Sequence, residues 1–262
     1  MKLSLFQVDA FAGQLFEGNP AAVVPLEAWL PDEMLQKIAM ENQLSETSFV
    51  IARGDGEFDL RWFTPVCEVN LCGHATLATA HVLMTEILEA NRKTVFHTRS
   101  GALQVSGKDE GYQMKFPRDL VTPCDGLKGQ VESVLGLAVG SLYAGKEDLM
   151  AVLHSESDVR SLAPDFKRLS AIPHRGLIVT AQGDESDFVS RCFFPRFGID
   201  EDPVTGSAHT TMAPYWGERL ARSSMDAIQL SARKGRVGCE LVEDQVWLTG
   251  GAVTFLRGEI EV

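Results

Sequence analysis

Two short segments half a chain apart carry one pattern: LCGHATLATA at residues 71–80 and VTGSAHTTMA at residues 204–213. Gly73 aligns with Gly206, His74 with Ser207 and Ala75 with Ala208. Each copy sets a turn-forming glycine and a polar residue ahead of an alanine- and threonine-rich run that can enter a helix. Their separation is about half of the 262 residues, so the pair predicts two related halves. The first turn of a helix has unpaired N–H groups and a partial positive charge, which suits an anion. Two such starts predict a pseudo-symmetric protein that grips one acidic ligand between its halves. Coincidence between two Gly/Ala/Thr helix starts is the competing reading at this point.

Charge and composition narrow the classes. The chain is 45% hydrophobic and 23% charged, which is ordinary globular composition with ample material for a core. Its formal net charge is -12, and no basic stripe offsets it. Nucleic acid and anionic membrane are therefore not expected partners. A small acidic substrate remains compatible, because a local nest of N–H groups outweighs a distant negative surface. The opening MKLSLFQVDAF has no secretory pattern. The charge-poor stretch Val69–Thr85 is too short and too polar to span a membrane. Cysteines stand at 67, 72, 124, 192 and 239, an odd count without C-x-x-C, so a reduced cytoplasmic protein is expected.

Hydrophobic patterning predicts strands at Leu3–Phe11, Ala21–Val24 and Thr47–Ile51. Phe58, Leu60 and Trp62 alternate with Asp59 and Arg61, which predicts a half-buried strand in a hairpin with the one before. Pro31 opens a helix with Asp32 and Glu33 in its first turn. From Ala75 to Leu88 the chain is apolar on nearly every face, so a central helix wrapped by strands is expected. In the second half, strands are expected at Leu149–Leu153, Gly176–Thr180 and Ser190–Phe194. Helices are expected at Val159–Ser170 and from Ser207. The halves are expected at residues 1–117 and 118–262, tightly joined, with terminal strands able to cross between them.

Three clusters could carry chemistry. Glu46 lies between helix and strand among Leu44, Phe49 and Val50. Partial desolvation there would raise its pKa toward the range useful for acid/base work, whereas a solvated turn residue is the bland alternative. His74 stands at a helix start, where imidazolium is disfavoured, so a neutral proton relay is expected. Cys72 beside it would have a lowered pKa by the same argument, or both would simply be packed. A His74–His81 metal pair is poorly spaced, two turns apart. The third cluster runs from Asp200 to His209. There Asp202 is held extended by Pro203, and Thr205, Gly206 and Ser207 supply donors. A capped helix after an acidic loop is its plain alternative. The chain has no G-x-G-x-x-G and no G-x-S-x-G, and Gly140–Glu147 falls one residue short of a phosphate-binding loop.

Taken together, FEGNPAAVV, ENQLSETSFV, FTPVCEVNLCGHATLATA and FGIDEDPVTGSAH resemble the PhzF (phenazine-biosynthesis-like) family. The match spans nearly the whole chain in order. The resemblance implies the α+β diaminopimelate-epimerase fold: two similar halves, each a mostly antiparallel sheet around a central helix, with the active site between them. It implies that Glu46 is the catalytic acid/base and that His74 and Asp202 assist. It also implies that Gly73, Gly206 and Ser207 present donors to the substrate's acidic group. The family's characterised chemistry is a cofactor-free, metal-free proton shift on dihydro-hydroxyanthranilate, and a homodimer is implied. Diaminopimelate epimerase uses two cysteines. Here Cys72 holds the first such position, but Asp202 stands in the second half and no thiol partner is expected there. The expected activity is a cofactor-independent isomerase of a small carboxylated metabolite. A two-base racemase using Cys72 and a non-catalytic metabolite-binding protein are the alternatives.

Overall fold

The computed structural model describes residues 1–88, 93–108 and 111–262. The chain divides into two compact units, Met1–Lys115 with Thr249–Val262, and Phe116–Leu248.

The first unit contains β1 (Lys2–Ala10), β2 (Asn19–Leu26), α1 (Asp32–Asn42), β3 (Glu46–Gly54), β4 (Glu57–Phe63), β5 (Glu68–Val69), α2 (Gly73–Val82), β6 (Lys93–Thr98), β7 (Gly101–Lys108) and most of β8 (Gly111–Pro117). Its sheet runs from the C-terminal strand Ala252–Glu261 through β1, β2, β3, β4, β6 and β7 to β8, with β5 also paired to β4. Among these pairs, β2/β3 and β4/β6 are parallel. In β3 Thr47, Phe49 and Val50 are buried, and in β4 burial alternates as the pattern predicts. Every α2 residue from His74 to Ala80 is buried. The helix packs on β1, β2, β3 and the C-terminal strand. An all-round apolar helix is stable only when covered in this way.

The second unit follows the same plan. It contains β9 (Thr122–Pro123), α3 (Lys128–Leu135), β10 (Ser141–Ala144), β11 (Leu149–Val152), α4 (Glu156–Arg160), α5 (Phe166–Leu169), β12 (Leu177–Gln182), β13 (Phe188–Phe194), β14 (Ile199–Asp202), α6 (Gly206–Leu220), β15 (Ser224–Gln229) and β16 (Gly235–Val242). The order is β9, β10, β11, β12, β13, β15, β16, with β14 on β13. Again two pairs are parallel, β11/β12 and β13/β15. They occupy the places of β2/β3 and β4/β6. α2 follows β5 and α6 follows β14, so each helix enters at the same point of its unit. The protein is thus an α+β fold of two pseudo-symmetric halves, each with a mostly antiparallel sheet around a central helix.

Some elements differ from expectation. The helix after Gly73 ends at Val82, and Leu83–Ile87 forms a π-helical turn. The helix expected at Val159–Ser170 is two short helices, α4 and α5, because Pro164 between them cannot continue the first. The acid-rich Ile199–Asp202 is a strand rather than a loop. Ser141–Ala144 forms a hairpin with β11, so Gly140–Glu147 does not lead into a helix as a phosphate loop must. Among the described residues, no helix is long and apolar enough to cross a membrane.

Candidate active site

Glu46, Cys72 and His74 meet because three chain segments start at one place. α1 ends with Gln43 in the left-handed region, at φ 51, which turns the chain toward β3. Glu46 is the first residue of β3 and lies opposite Ala21. Asn19 is the first residue of the parallel neighbour β2. α2 starts beside them, with Cys72 extended as its N-cap at φ -146. Ser48 of β3 donates to the Ala75 carbonyl at 3.2 Å and fixes the helix start against the strand.

The Nε2 atom of His74 lies 3.1 Å from Oε2 of Glu46, with side chains only 7% and 12% exposed. Neither atom has a well-aligned hydrogen-bond partner among the described residues. On the opposite ring nitrogen, Nδ1, stand the Asn19 amide at 3.3 Å and Cys72 Sγ at 3.5 Å. The Asn19 amide can donate to a neutral ring through Nδ2, or accept from imidazolium through its oxygen after a flip. Burial opposes charge on His74, yet Cys72, once ionised, and the Glu46 carboxylate outweigh it and raise the ring well above the ordinary histidine range. The expectation of a neutral ring set by the helix N-terminus is therefore corrected. A full carboxylate charge at 3.1 Å outweighs the helix's partial charge. The expectation for Cys72 is corrected too. Burial first, and the Glu46 carboxylate second, push its thiol up to about 11, so it stays protonated at neutral pH.

The second unit's cluster is a closed network. The Thr205 hydroxyl donates to Asp202 Oδ2 at 2.6 Å. Gln229, fully buried on β15, accepts from the Thr205 N–H at 2.9 Å and donates to the Asp202 carbonyl at 2.7 Å. Ser231 donates to the Pro203 carbonyl at 2.8 Å. The N-cap is Thr205, not Ser207. Ser207 accepts from Arg175 Nη2 at 3.1 Å, and Arg175 is itself forked onto the buried Asp148. Glu201 is occupied by Arg191, so Asp200-Glu201-Asp202 is not a free carboxylate cluster. A thiol does stand here, contrary to expectation. Cys192 lies opposite Asp202 in the β13/β14 register. Burial pushes it far up and its side chain is fully enclosed, so it does not restore a two-thiol mechanism.

Gln229, Arg175 and Asp148 escaped the sequence reading, since each lies far along the chain from the loop it holds. His81 belongs elsewhere. It is bonded to Tyr112 and Thr254, at 2.8 Å each, beside a cavity of about 490 Å³ that does not reach Glu46. As for metals, Glu46, Cys72 and His74 each offer one ligand atom, all within 4.8 Å of one another.

The protein is thus a duplicated sheet-and-helix scaffold with a carboxylate–imidazole couple at one helix start. The profile of the phenazine biosynthesis-like protein family matches residues 8–258. An uncharacterized isomerase of Pseudomonas aeruginosa is 49% identical over the full length of both chains. The crystal structure of a PhzF-family phenazine biosynthesis protein from Enterococcus faecalis covers all of both chains, with 44% identity and a TM-score of 0.95. A probable proline racemase from Agrobacterium radiobacter shares the fold alone, at 11% identity and a TM-score of 0.64 over 99% of this chain and 92% of that one. The chain belongs to the phenazine biosynthesis-like (PhzF) family, and with it to the isomerases.

Proposed function

We propose that the protein is a cofactor-independent isomerase of a small carboxylated metabolite, with Glu46 moving the proton. The observation that carries this is the 3.1 Å approach of Glu46 Oε2 to His74 Nε2 in a nearly closed setting. Glu46, as carboxylate, takes a proton from a substrate carbon. The electron pair left behind spreads into the substrate's conjugated acid, where N–H groups at Gly73 and His74 stabilise it. Glu46, now the acid, returns the proton to a second carbon, so atoms and charge balance. His74 holds the Glu46 carboxylate in place between turnovers. In the second unit, Asp202 is proposed to assist, and Gly206 and Ser207 are proposed as donors to an acidic group. A homodimer is the proposed assembly, to be measured by light scattering.

The raised pKa of Cys72 favours Glu46 over the thiol as the base. Glu46→Gln keeps shape and hydrogen-bonding length but cannot exchange a proton. We expect unchanged folding and ligand affinity, with turnover reduced by about 10²–10⁴. Substrate is sought by incubating small carboxylic acids in D₂O and reading deuterium at carbon by NMR, starting with dihydro-hydroxyanthranilate. A Gln variant that turns over at the wild-type rate overturns the assignment.

A further inference from the structure

The proton-shuttle reading uses Glu46 and His74 but leaves the Cys72 sulfur idle. That sulfur lies 3.5 Å from His74 Nδ1. A tetrahedral zinc ion holds sulfur at about 2.3 Å and imidazole nitrogen at about 2.1 Å, which sets the two ligands about 3.6 Å apart. The pair is therefore already spaced as one edge of a zinc tetrahedron. Glu46, the least buried of the three, faces the other ring nitrogen at 3.1 Å and supplies a third donor by swinging its carboxylate toward the sulfur side, the atoms offered all lying within 4.8 Å of one another. The scaffold fixes their backbones, since Cys72 caps α2 and Glu46 opens β3. A sulfur–nitrogen–oxygen donor set selects zinc or cobalt over magnesium and calcium, which take oxygen ligands.

We propose that Glu46, Cys72 and His74 form a binding site for one thiophilic divalent cation, with zinc as the fitting ion, and that its occupation silences the enzyme. On binding, Cys72 and the His74 ring each release a proton to solvent, so that Cys72 coordinates as thiolate, the neutral ring donates a nitrogen lone pair, and Glu46 coordinates as carboxylate. Two negative ligands balance the ion's two charges, and no electron is transferred. The fourth position stays open to water or a substrate oxygen. A carboxylate bound to the ion is no longer free to take a proton from carbon. The inhibitory half of the proposal therefore rests on the proton-shuttle reading, whereas the binding half does not.

Cobalt(II) titrated into the substrate-free protein provides the test. The expected result is saturation at one ion per chain, with four-coordinate visible absorption and a thiolate-to-cobalt charge-transfer band, both abolished by zinc. Cys72→Ser should remove the charge-transfer band, whereas Cys67→Ser, at an exposed position, should retain it. Glu46→Gln should weaken cobalt binding about tenfold or more. Absence of a stoichiometric band, or its survival in Cys72→Ser, overturns the site. Should Cys72→Ser not fold, zinc-edge anomalous diffraction from zinc-soaked wild-type crystals decides. A peak among the three side chains supports the site, and peaks at the surface only, an adventitious ion, overturn it. Zinc bound at the triad with turnover unchanged overturns the inhibitory half and counts against Glu46 as the base.

Discussion

His74 sits between a partner that favours its charge and a burial that opposes it, so pH is the direct probe of which dominates. Its folded-state pKa is raised well above 6.5. A group of this kind contributes stability in full below its unfolded value of 6.5, and that contribution is lost as pH rises through the folded value. We therefore expect the stability gap between wild type and His74→Gln, measured by urea unfolding, to be largest near pH 6 and to shrink toward alkaline pH. A gap that widens with pH would contradict the carboxylate–imidazolium couple. Cys72 has the same sign, with its loss falling between 9.0 and about 11. At this scale the sequence singled out Glu46, Cys72 and His74, which the fold brings together, but misjudged the states of Cys72 and His74. Glu46 stood out by its apolar neighbours and His74 by its place at a helix start. Their 3.1 Å approach depends on β2, β3 and α2 starting side by side, and no local pattern encodes that.

Elements carry the next level of design, since each cluster is held by the segment that leads into it. The loop between β1 and β2 delivers Asn19 to His74, and Gly18 just before it has φ +68. A Cβ there would lie 2.2 Å from the Ala10 carbonyl oxygen. Gly18→Ala is expected to cost roughly 1–3 kcal/mol and to loosen Asn19. Equal denaturation midpoints for the two proteins would show that the loop adapts. At the start of α6, His209 is fully buried and bonded through Nδ1 to the Thr205 carbonyl at 2.8 Å. Burial holds its pKa down at about 4. A lowered histidine contributes stability in full above 6.5 and loses it as pH falls through the folded value. The wild type should thus lose up to roughly 3 kcal/mol between pH 6.5 and 4 through this group. His209→Asn, unfolded across the same range, should lack that slope. Helix and strand periods were readable where burial is one-sided, as in β4. Two-residue strands such as β5 and β9 have no period to read, and β14 exists because the β13 hairpin pairs it, not because Ile-Asp-Glu-Asp favours a strand.

In the whole molecule, one scaffold is used twice with different chemistry at equivalent points. α2 starts at a carboxylate–imidazole couple. α6 starts at a serine held by Arg175, and through it by Asp148. The repeat was legible because both helix starts need a small residue ahead of a covered helix. The strand order was not, because parallel pairs such as β2/β3 and β11/β12 join segments separated by helices. Duplication also gives each unit a central helix with one long buried stretch, His74–Ala80 in α2 and Ala208–Ala213 in α6. Local opening there requires removing strands on several sides, so its free energy should approach that of global unfolding. By contrast, α1 buries only Leu35, Ile38 and Ala39. In native-state hydrogen exchange, peptides covering Ala75–Val82 and Ala208–Gly217 should therefore exchange last, and α1 well before them. Exchange of α2 at the rate of α1 would mean that the reactive helix opens independently of its sheet. Glu46 and His74 would then be held together only part of the time, and the geometry on which the proton shuttle depends would be transient.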